Sequence, residues 1–299
     1  MVKKLITRKK FIAATLAGFA GLRLTAESAG KRVAVNSSPR NVGNTGIVVS
    51  PLCFGAPRTN EESLIRYAID KGMNFIDTGR SYGNGNNEIL VGRAISGRRA
   101  NVVIQSKIKL EANELPAGGK GRKGADEIKT ALSVKLDASL KALDTEYIDI
   151  LLYHGASDEN LLFHPEVLKY FSDLKSSGVI KAHGFSAHND KMNLLTRNNS
   201  EVFYDVVMVP FNHKGAFTHS VTGGHSDWDQ ERLISILDEA GLKGIGVVAM
   251  KTCSGGKYSP GPGREPSYKE AVSWVLQHKF VSSAAIAMAD FEQVNEHIS

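Results

Sequence analysis

Four polar residues of complementary chemistry follow short apolar runs along the chain. Asp77 closes the run NFID, and Tyr82 comes five residues later. Lys107 closes the run VVIQSK, and His154 closes the run IDILLYH. Reduction of a carbonyl group needs a proton donor that meets the oxygen as negative charge develops on it. A tyrosine whose pKa is lowered by an ammonium, with a carboxylate holding that ammonium and an imidazole N–H nearby, could supply this donor.

The segments that must position these residues show two alternating sequence patterns, one typical of strands and one typical of helices. From Gly46 onward, short β-rich runs alternate with amphipathic helical stretches. The predicted strands are 48–54, 74–77, 102–107, 148–154, 182–186, 206–210, 246–251 and 284–287, and the predicted helices include 61–71, 125–143, 165–177, 229–241 and 267–278. The alternation predicts an α/β fold, a (β/α)8 TIM barrel forming a single domain over residues 33–299. An open doubly wound sheet is disfavoured because no G-x-G-x-x-G follows the first strand.

A barrel would bring the four polar residues together, because the carboxyl ends of its strands surround one pocket. The long loops expected at that end are 110–124 and 212–228, and we expect no others. The second loop contains His213, His219 and His225, which lack helical spacing and are interpreted as solvated. Cys53 and Cys253 are interpreted as packing residues, and no motif indicates a metal site.

The positive charge of the protein lies almost entirely at its amino terminus. Residues 1–32 hold eight lysines and arginines and one glutamate, so the net charge of +6 leaves residues 33–299 near neutrality. Such a body gives no support to a nucleic-acid partner. The basic residues precede an apolar run at 11–22 that is too short for a stable membrane span. Together with small residues near Ala29, this pattern predicts an export leader over residues 1–30.

The segment TRKKFI at 7–12 resembles a twin-arginine export signal, with Lys9 in place of the second arginine. The expected location is therefore exported or periplasmic, and otherwise cytoplasmic. The alternative for this segment is an amphipathic helix of the folded protein.

Longer motifs carry a resemblance to a known family. They are RNVGNTGIVVSPLCFG at 40–55, NFIDT at 74–78, SYG at 81–83, NEILVGRA at 87–94, IQSK at 104–107, YIDILLYH at 147–154, GFS at 184–186, VVMV at 206–209 and GVVAMK at 246–251. In this order they resemble the aldo-keto reductases, from about Arg40 to the last residue. The most specific element is the aspartate with Tyr-Gly downstream, followed by the lysine and histidine.

The resemblance implies a function and a set of site residues. It implies NADPH or NADH as cofactor and a small-molecule carbonyl substrate. Tyr82 would be the general acid, Lys107 and Asp77 would tune it, and His154 would orient the carbonyl group. The residues implied for cofactor binding are Gly55, Ala56, Asp77, Ser186, Met208, Met250, Ser254, Gly255, Gly256, Asp290 and Gln293.

Three places depart from the family pattern. Met208 stands where many members carry glutamine, and Met250 where many carry an aromatic residue. Asp290 stands near the residues that usually hold the 2′-phosphate of NADPH, so we expect NADPH to be favoured by only a small margin. Asp290 could instead cap the last helix, and both interpretations stay open. The family also implies a tail after the last helix, which we expect to be short or missing beyond Ser299.

Two other classes of protein compete with a carbonyl reductase. A non-catalytic barrel could bind nicotinamide nucleotide as a sensor or regulatory subunit, but it would have no need of the proton-donor residues. An exported sugar-binding barrel would carry aromatic platforms, whereas the long loops offer only Phe217 and Trp228. The oligomeric state is left open.

Overall fold

The computed structural model describes residues 38–111, 114, 125–189, 191–219 and 223–298. The predicted leader over residues 1–30 lies outside the described residues, as does most of the loop predicted at 110–124. The export signal and the domain boundary at residue 33 therefore stay predictions.

Eight parallel strands form a closed barrel in which each strand pairs with the next along the chain. They are β1 (Leu52–Gly55), β2 (Phe75–Asp77), β3 (Val103–Ile108), β4 (Ile148–Tyr153), β5 (Ile180–Ser186), β6 (Val206–Pro210), β7 (Gly246–Met250) and β8 (Val281–Ala287). Pairing of β8 with β1, in the register Ala284 to Leu52, closes the ring. The predicted (β/α)8 barrel is confirmed.

Helices alternate with the strands and cover the outside of the barrel. They are α1 (Glu62–Asp70), α2 (Asn86–Ala94), α3 (Ala125–Leu143), α4 (Glu159–Leu162), α5 (Pro165–Ser176), α6 (Lys191–Glu201), α7 (Gln230–Leu242), α8 (Tyr268–Leu276) and α9 (Phe291–Ile298). In α3 the apolar residues Ile128, Leu132 and Leu136 recur every fourth position and are buried. The helix ends before Asp144, whose φ of 51° is left-handed.

The first predicted strand, 48–54, is wrong in its extent. Val48–Val49 pairs with Arg40–Asn41 in an antiparallel hairpin, and β1 starts only at Leu52. The break falls at Ser50–Pro51, where the Ser50 amide donates to Oδ1 of Asn74 over 2.6 Å instead of joining the sheet. The hairpin covers the amino-terminal end of the barrel. A Cβ on its Gly43, which has a φ of +51°, would lie 2.2 Å from the Gly244 carbonyl oxygen, so only glycine fits.

The expectation of only two long loops is also wrong. A third loop of comparable length, residues 251–267, joins β7 to α8. The loop after β6 contains a small hairpin of its own, Ala216–Thr218 against His225–Asp227. Both loops rise from the carboxyl ends of strands, so they surround the end of the barrel that carries the site. Within the described ranges, no helix combines the length and apolar character needed to cross a bilayer.

Candidate active site

The four predicted catalytic residues meet at the carboxyl end of the barrel. Asp77 ends β2, Lys107 lies near the end of β3, and His154 directly follows β4. Tyr82 begins a short 3-10 turn after β2. All four line one cavity of about 660 Å³. Adjacent parallel strands bring these residues together, although they are far apart in sequence.

Asp77 and Lys107 form a buried ion pair. The Lys107 ammonium donates to Oδ1 of Asp77 over 2.5 Å and to the carbonyl oxygen of Thr78 over 2.7 Å. The same Oδ1 accepts a second hydrogen bond, 2.6 Å long, from Nε2 of Gln105, which sequence reasoning did not assign to the site. Burial lowers the pKa of the ammonium, but attraction to Asp77 and Tyr82 outweighs it, and the pKa of Lys107 is raised. The lysine is therefore charged at neutral pH.

The phenol of Tyr82 lies beside this ammonium, with Nζ of Lys107 4.8 Å from the centroid of the ring. The sequence predicts a lowered pKa for the phenol. Lys107 does act in that direction, but burial is the largest effect and the pKa of Tyr82 is raised overall. The predicted net direction is wrong because the charge of Asp77 opposes that of Lys107, and burial penalises the phenolate. A raised pKa keeps the phenol protonated, as a proton donor must be before reaction.

His154 stands edge-on to Tyr82, with ring centroids 5.6 Å apart and planes at 84°. Burial, followed by repulsion from Lys107, lowers the pKa of His154 to about 3. The imidazole is therefore neutral and carries one N–H. Its Nδ1 lies 3.1 Å from Oγ of Ser81, and when that hydroxyl donates, the ring proton is on Nε2. A neutral imidazole can donate a hydrogen bond to a substrate oxygen without adding a second positive charge beside Lys107.

A buried carboxylate, that of Glu88, holds the loop that carries Tyr82 in place. Glu88 is fully buried at the start of α2 and accepts a 2.6 Å hydrogen bond from Oγ of Ser106. Its other oxygen lies 2.8 Å from Nη1 of Arg80, within the loop. The Arg80 amide in turn donates to the Lys107 carbonyl oxygen over 3.0 Å. These contacts tie the tyrosine loop to β3 and fix Tyr82 next to Lys107.

In addition to Asp77, five of the residues implied for cofactor binding line the same cavity. They are Gly55, Ser186, Met208, Met250 and Ser254. Ser186, Met208 and Met250 lie at or near the ends of β5, β6 and β7, three neighbouring strands. Oγ of Ser186 accepts a 3.0 Å hydrogen bond from the Gly155 amide, which fixes the hydroxyl at the cavity wall.

Other residues implied for cofactor binding do not line the cavity. Ala56 is completely buried, and its carbonyl oxygen accepts a hydrogen bond from Asn87. Gly255 packs against Asn212 and His213, and Gly256 takes a φ of +84° in the adjoining turn.

Asp290 and Gln293 do not line the cavity, and both cap the last helix. Oδ1 of Asp290 accepts a 2.8 Å hydrogen bond from the Gln293 amide. Oε1 of Gln293 accepts a 2.9 Å hydrogen bond from the Ala289 amide. Of the two interpretations that the sequence left open for Asp290, the structure shows the cap.

Several cavity residues were missed by sequence reasoning. They are Pro57, Arg58, His188, His219, Lys251 and Ala285. Lys251 directly follows β7, and His188 lies two residues after β5. Their position after strand ends is the same signal that located Asp77 and His154, so applying it to every strand would have found them. Burial, followed by repulsion from Lys251, lowers the pKa of His188 to about 4.

The histidines of the loop after β6 are not all solvated, which corrects the expectation for them. His225 is exposed, but His219 lines the cavity and is only partly exposed. His213 packs against Tyr258 with ring centroids 4.9 Å apart. In the part of the chain that the structure describes, no group of three potential ligands could hold a metal ion.

The two cysteines are both free. Cys53 is buried inside the barrel, as a packing residue would be, whereas Cys253 is partly exposed and lines the cavity.

An aspartate, a tyrosine, a lysine and a histidine clustered at the carboxyl end of a (β/α)8 barrel define a class of protein. The comparison with known families gives the same class. The model of the aldo/keto reductase family matches residues 55–297. The match covers most of the chain, and the chain belongs to this family of oxidoreductases.

Individual relatives match a shorter part of the chain than the family model does. An uncharacterized oxidoreductase of Bacillus subtilis (strain 168) is 31% identical over 153 residues, 50% of this chain and 48% of the relative. A probable voltage-gated potassium channel subunit beta of Arabidopsis thaliana is 33% identical over 126 residues, 38% of this chain and 36% of the relative. The chain thus spans about half the length, or less, of these curated relatives.

Solved structures show the same fold. An aldo-keto reductase from Bacillus halodurans in its holo form has a TM-score of 0.66 at 22% identity, covering 87% of this chain and 89% of that one. An aldo-keto reductase from Klebsiella pneumoniae in complex with NADPH has a TM-score of 0.63 at 21% identity, covering 88% and 89%. The cofactors of the family are nicotinamide nucleotides, as these complexes illustrate.

Proposed function

We propose that the protein reduces an aldehyde or ketone by hydride transfer from NAD(P)H, with Tyr82 as general acid. The observation that carries the proposal is the cluster of Asp77, Tyr82, Lys107 and His154 on one cavity wall. Family membership supports the reaction class. The natural substrate is a small carbonyl compound, and its identity is open.

The cavity residues fit a nicotinamide dinucleotide. A cavity of about 660 Å³ is in the range of sites for drug-sized ligands, and is larger than a small carbonyl compound needs. Met208 and Met250 offer apolar contact for a flat ring beside Tyr82, and Ser186 offers a hydroxyl. We expect these residues to hold the nicotinamide end. When bound, the reduced nucleotide supplies the hydride.

The remaining chemistry belongs to side chains of the protein. Tyr82 holds a proton at its hydroxyl, and the Lys107 ammonium stabilises the phenolate that is left once the proton moves to the carbonyl oxygen. Asp77 keeps that ammonium charged and oriented through the 2.5 Å hydrogen bond. The neutral His154 donates its N–H toward the same oxygen and so orients the carbonyl group.

A regulatory barrel that binds nucleotide without turnover is the second candidate. It is favoured by the similarity to a probable potassium channel subunit beta over 126 residues. The complete Asp77, Tyr82, Lys107 and His154 cluster argues for catalysis instead, because nucleotide binding does not require a proton donor. Titration with NADPH and NADH by fluorescence, followed by turnover of a reactive aldehyde, separates the two. Tight binding with no turnover of any of several aldehydes would contradict the reductase and favour the regulatory role.

We also propose that the protein is exported and that residues 1 to about 28 are removed, as the signal-peptide pattern suggests. Mass spectrometry of protein isolated from its natural source should find an amino terminus near Ala29. Intact Met1–Lys10 on cytoplasmic protein would contradict export.

A further inference from the structure

Gln105 is a polar residue inside the barrel to which the proposed reaction assigns no role. It lies on β3 two positions before Lys107, so the two side chains point to the same face of the strand. Gln105 is fully buried and does not line the cavity. Burying an amide side chain destabilises a protein unless the amide is hydrogen-bonded, so the contacts of Gln105 indicate its role.

The amide of Gln105 faces Asp77 on the neighbouring strand. The two residues are register partners of β3 and β2, and Nε2 of Gln105 donates to Oδ1 of Asp77 over 2.6 Å. The same nitrogen lies 3.3 Å from Sδ of Met208 on β6. Because β6 is not a neighbour of β3, this second contact crosses the interior of the barrel. The amide nitrogen thus has two acceptors, a carboxylate and a weakly accepting thioether.

The other end of the same amide is unsatisfied. Oε1 of Gln105 is buried and has no hydrogen-bond partner among the residues that the structure describes. An unsatisfied buried acceptor destabilises the folded protein, and an apolar side chain of similar size would avoid that cost. The opposite orientation of the amide would place Oε1 against the Asp77 carboxylate, and neither group could then donate. The hydrogen bond to Asp77 is therefore the contact that offsets the cost of this buried glutamine.

Asp77 affects Tyr82 in two opposite ways. Its charge holds the Lys107 ammonium through the 2.5 Å hydrogen bond, and that ammonium stabilises the phenolate. The same charge also repels the phenolate. Burial is the main cause of the raised pKa of Tyr82; Lys107 lowers this pKa, Asp77 raises it, and the Cys53 thiol raises it least. An N–H group directed at Oδ1 of Asp77 weakens the repulsion and fixes the carboxylate where it bonds the ammonium.

We propose that Gln105 is a positioning residue for proton transfer, whose amide holds and partly neutralises the Asp77 carboxylate while Tyr82 gives up its proton. The inference rests on the proposed function, since that proton transfer is part of it. Gln105 does not line the cavity, so it acts through Asp77 and not by contact with a ligand.

The test compares Gln105→Met and Gln105→Glu with the wild type. Methionine has a similar length but cannot donate, whereas a carboxyl group can donate only while it is protonated. Ser283→Ala is the matched control, because Ser283 is equally buried in a barrel strand. Its hydroxyl donates to the carbonyl oxygens of Ser50 and Pro51, and none of these three residues lines the cavity. Urea denaturation checks that each variant folds.

The first readout is kcat for a reactive aldehyde as a function of pH. Gln105→Met should lower kcat by roughly tenfold, because a hydrogen bond to a charged group is lost. Its nucleotide affinity should stay within about twofold of the wild type, since the effect falls on the transition state. In Gln105→Glu, the nearby charge of Asp77 favours the protonated form of the new carboxyl group. This variant should approach the wild type in acid and lose activity as the pH rises and the carboxyl group ionises.

The second readout is the ionisation of Tyr82, which needs no turnover. Protein labelled with 3-fluorotyrosine is titrated by fluorine NMR, and the signal of Tyr82 is the one that Tyr82→Phe lacks. In Gln105→Met this ionisation should move to higher pH, because the charge of Asp77 is then less compensated. In Ser283→Ala it should stay at the wild-type value.

Failure of the positioning role and failure of the proposed function give different results. An unchanged titration of Tyr82 in Gln105→Met, or a kcat within about twofold of the wild type, overturns the positioning role and leaves the reductase intact. Equal losses of kcat in Gln105→Met and Ser283→Ala also overturn it. A wild type that reduces no aldehyde contradicts the proposed function, and the titration of Tyr82 still decides whether Gln105 acts on the phenol through Asp77.

Discussion

Lys107 donates a hydrogen bond from Nζ to Oδ1 of Asp77, and the two side chains are only 1% and 4% exposed. A pair this deeply buried depends on both partners, because either charge alone would lack both water and a counter-ion. The pair also holds a permanent positive charge next to Tyr82, with Nζ of Lys107 4.8 Å from the centroid of its ring. Stability and proton donation are therefore coupled at this point of the barrel.

Asp77→Asn should lower the free energy of unfolding by about 3–5 kcal/mol, because it leaves the Lys107 ammonium buried without its carboxylate. Urea denaturation measures the change. The control is Asp173→Asn, which breaks the exposed Lys169–Asp173 pair and should cost less than about 1 kcal/mol. Adding Lys107→Met to Asp77→Asn should restore part of the loss. Equal losses of unfolding free energy for Asp77→Asn and Asp173→Asn would show that burial does not make Lys107 depend on the charge of Asp77.

Tyr82→Phe should reduce kcat for carbonyl reduction by roughly 10²–10⁴-fold, because it removes the proton donor and little else. Nucleotide affinity should stay within about twofold, since the hydroxyl acts mainly in the transition state. Tyr67→Phe is the control, because the Tyr67 hydroxyl bonds to Asn295 outside the cavity. Steady-state kinetics and fluorescence titration measure both quantities. Retention of more than about a tenth of the activity would exclude Tyr82 as the donor.

Acid should destabilise the protein partly through His183, which is 4% exposed and stacks on Phe203 at 4.8 Å between ring centroids. Burial lowers the pKa of His183 to about 4, although Asp205 pulls it upward. The unfolded histidine, with a pKa near 6.5, therefore takes up a proton that the folded one does not. The free energy of unfolding should fall between about pH 6.5 and pH 4, by up to roughly 1.4 kcal/mol per pH unit for this residue.

The measurement is urea denaturation repeated from pH 7 to pH 4. His183→Gln should show a shallower fall than the wild type, whereas His225→Gln, at an exposed position, should follow the wild-type curve. If the free energy of unfolding falls equally with pH in the wild type and in His183→Gln, the pKa of His183 is the same in the folded and the unfolded protein.

Asp290 should behave as a helix cap. Asp290→Ala should lower the free energy of unfolding by about 1 kcal/mol, whereas Asp290→Asn should be nearly neutral because asparagine caps equally well. If capping is its only role, Asp290→Asn should also leave the ratio of NADPH to NADH affinity within about threefold of the wild type at moderate salt. A large gain in NADPH preference in that variant would show instead that the carboxylate acts on the 2′-phosphate.

Much of the architecture and the four catalytic candidates could be predicted from the sequence. The strand pattern is local, because each buried parallel strand is a short apolar run, and eight such runs separated by helices admit few topologies. Asp77, Lys107 and His154 were found because they stand at strand ends, and barrel closure forces strand ends together. The long helix Ala125–Leu143 was found for a similar reason, since its apolar spacing belongs to the segment itself.

Only the tertiary structure decided the features that depend on contacts between distant segments. Arg58 and Lys251 are 193 positions apart in the sequence, and nothing local to either shows that they share a cavity. The net pKa direction of Tyr82 depends on burial against two opposite charges, and burial is a property of the assembled barrel. Asp290 could serve two roles by its position in the sequence, and only the hydrogen bond that its Oδ1 accepts from the Gln293 amide identified the cap. Residue order specifies which elements form, but balances of charge, burial and hydrogen bonding are established only when those elements pack together.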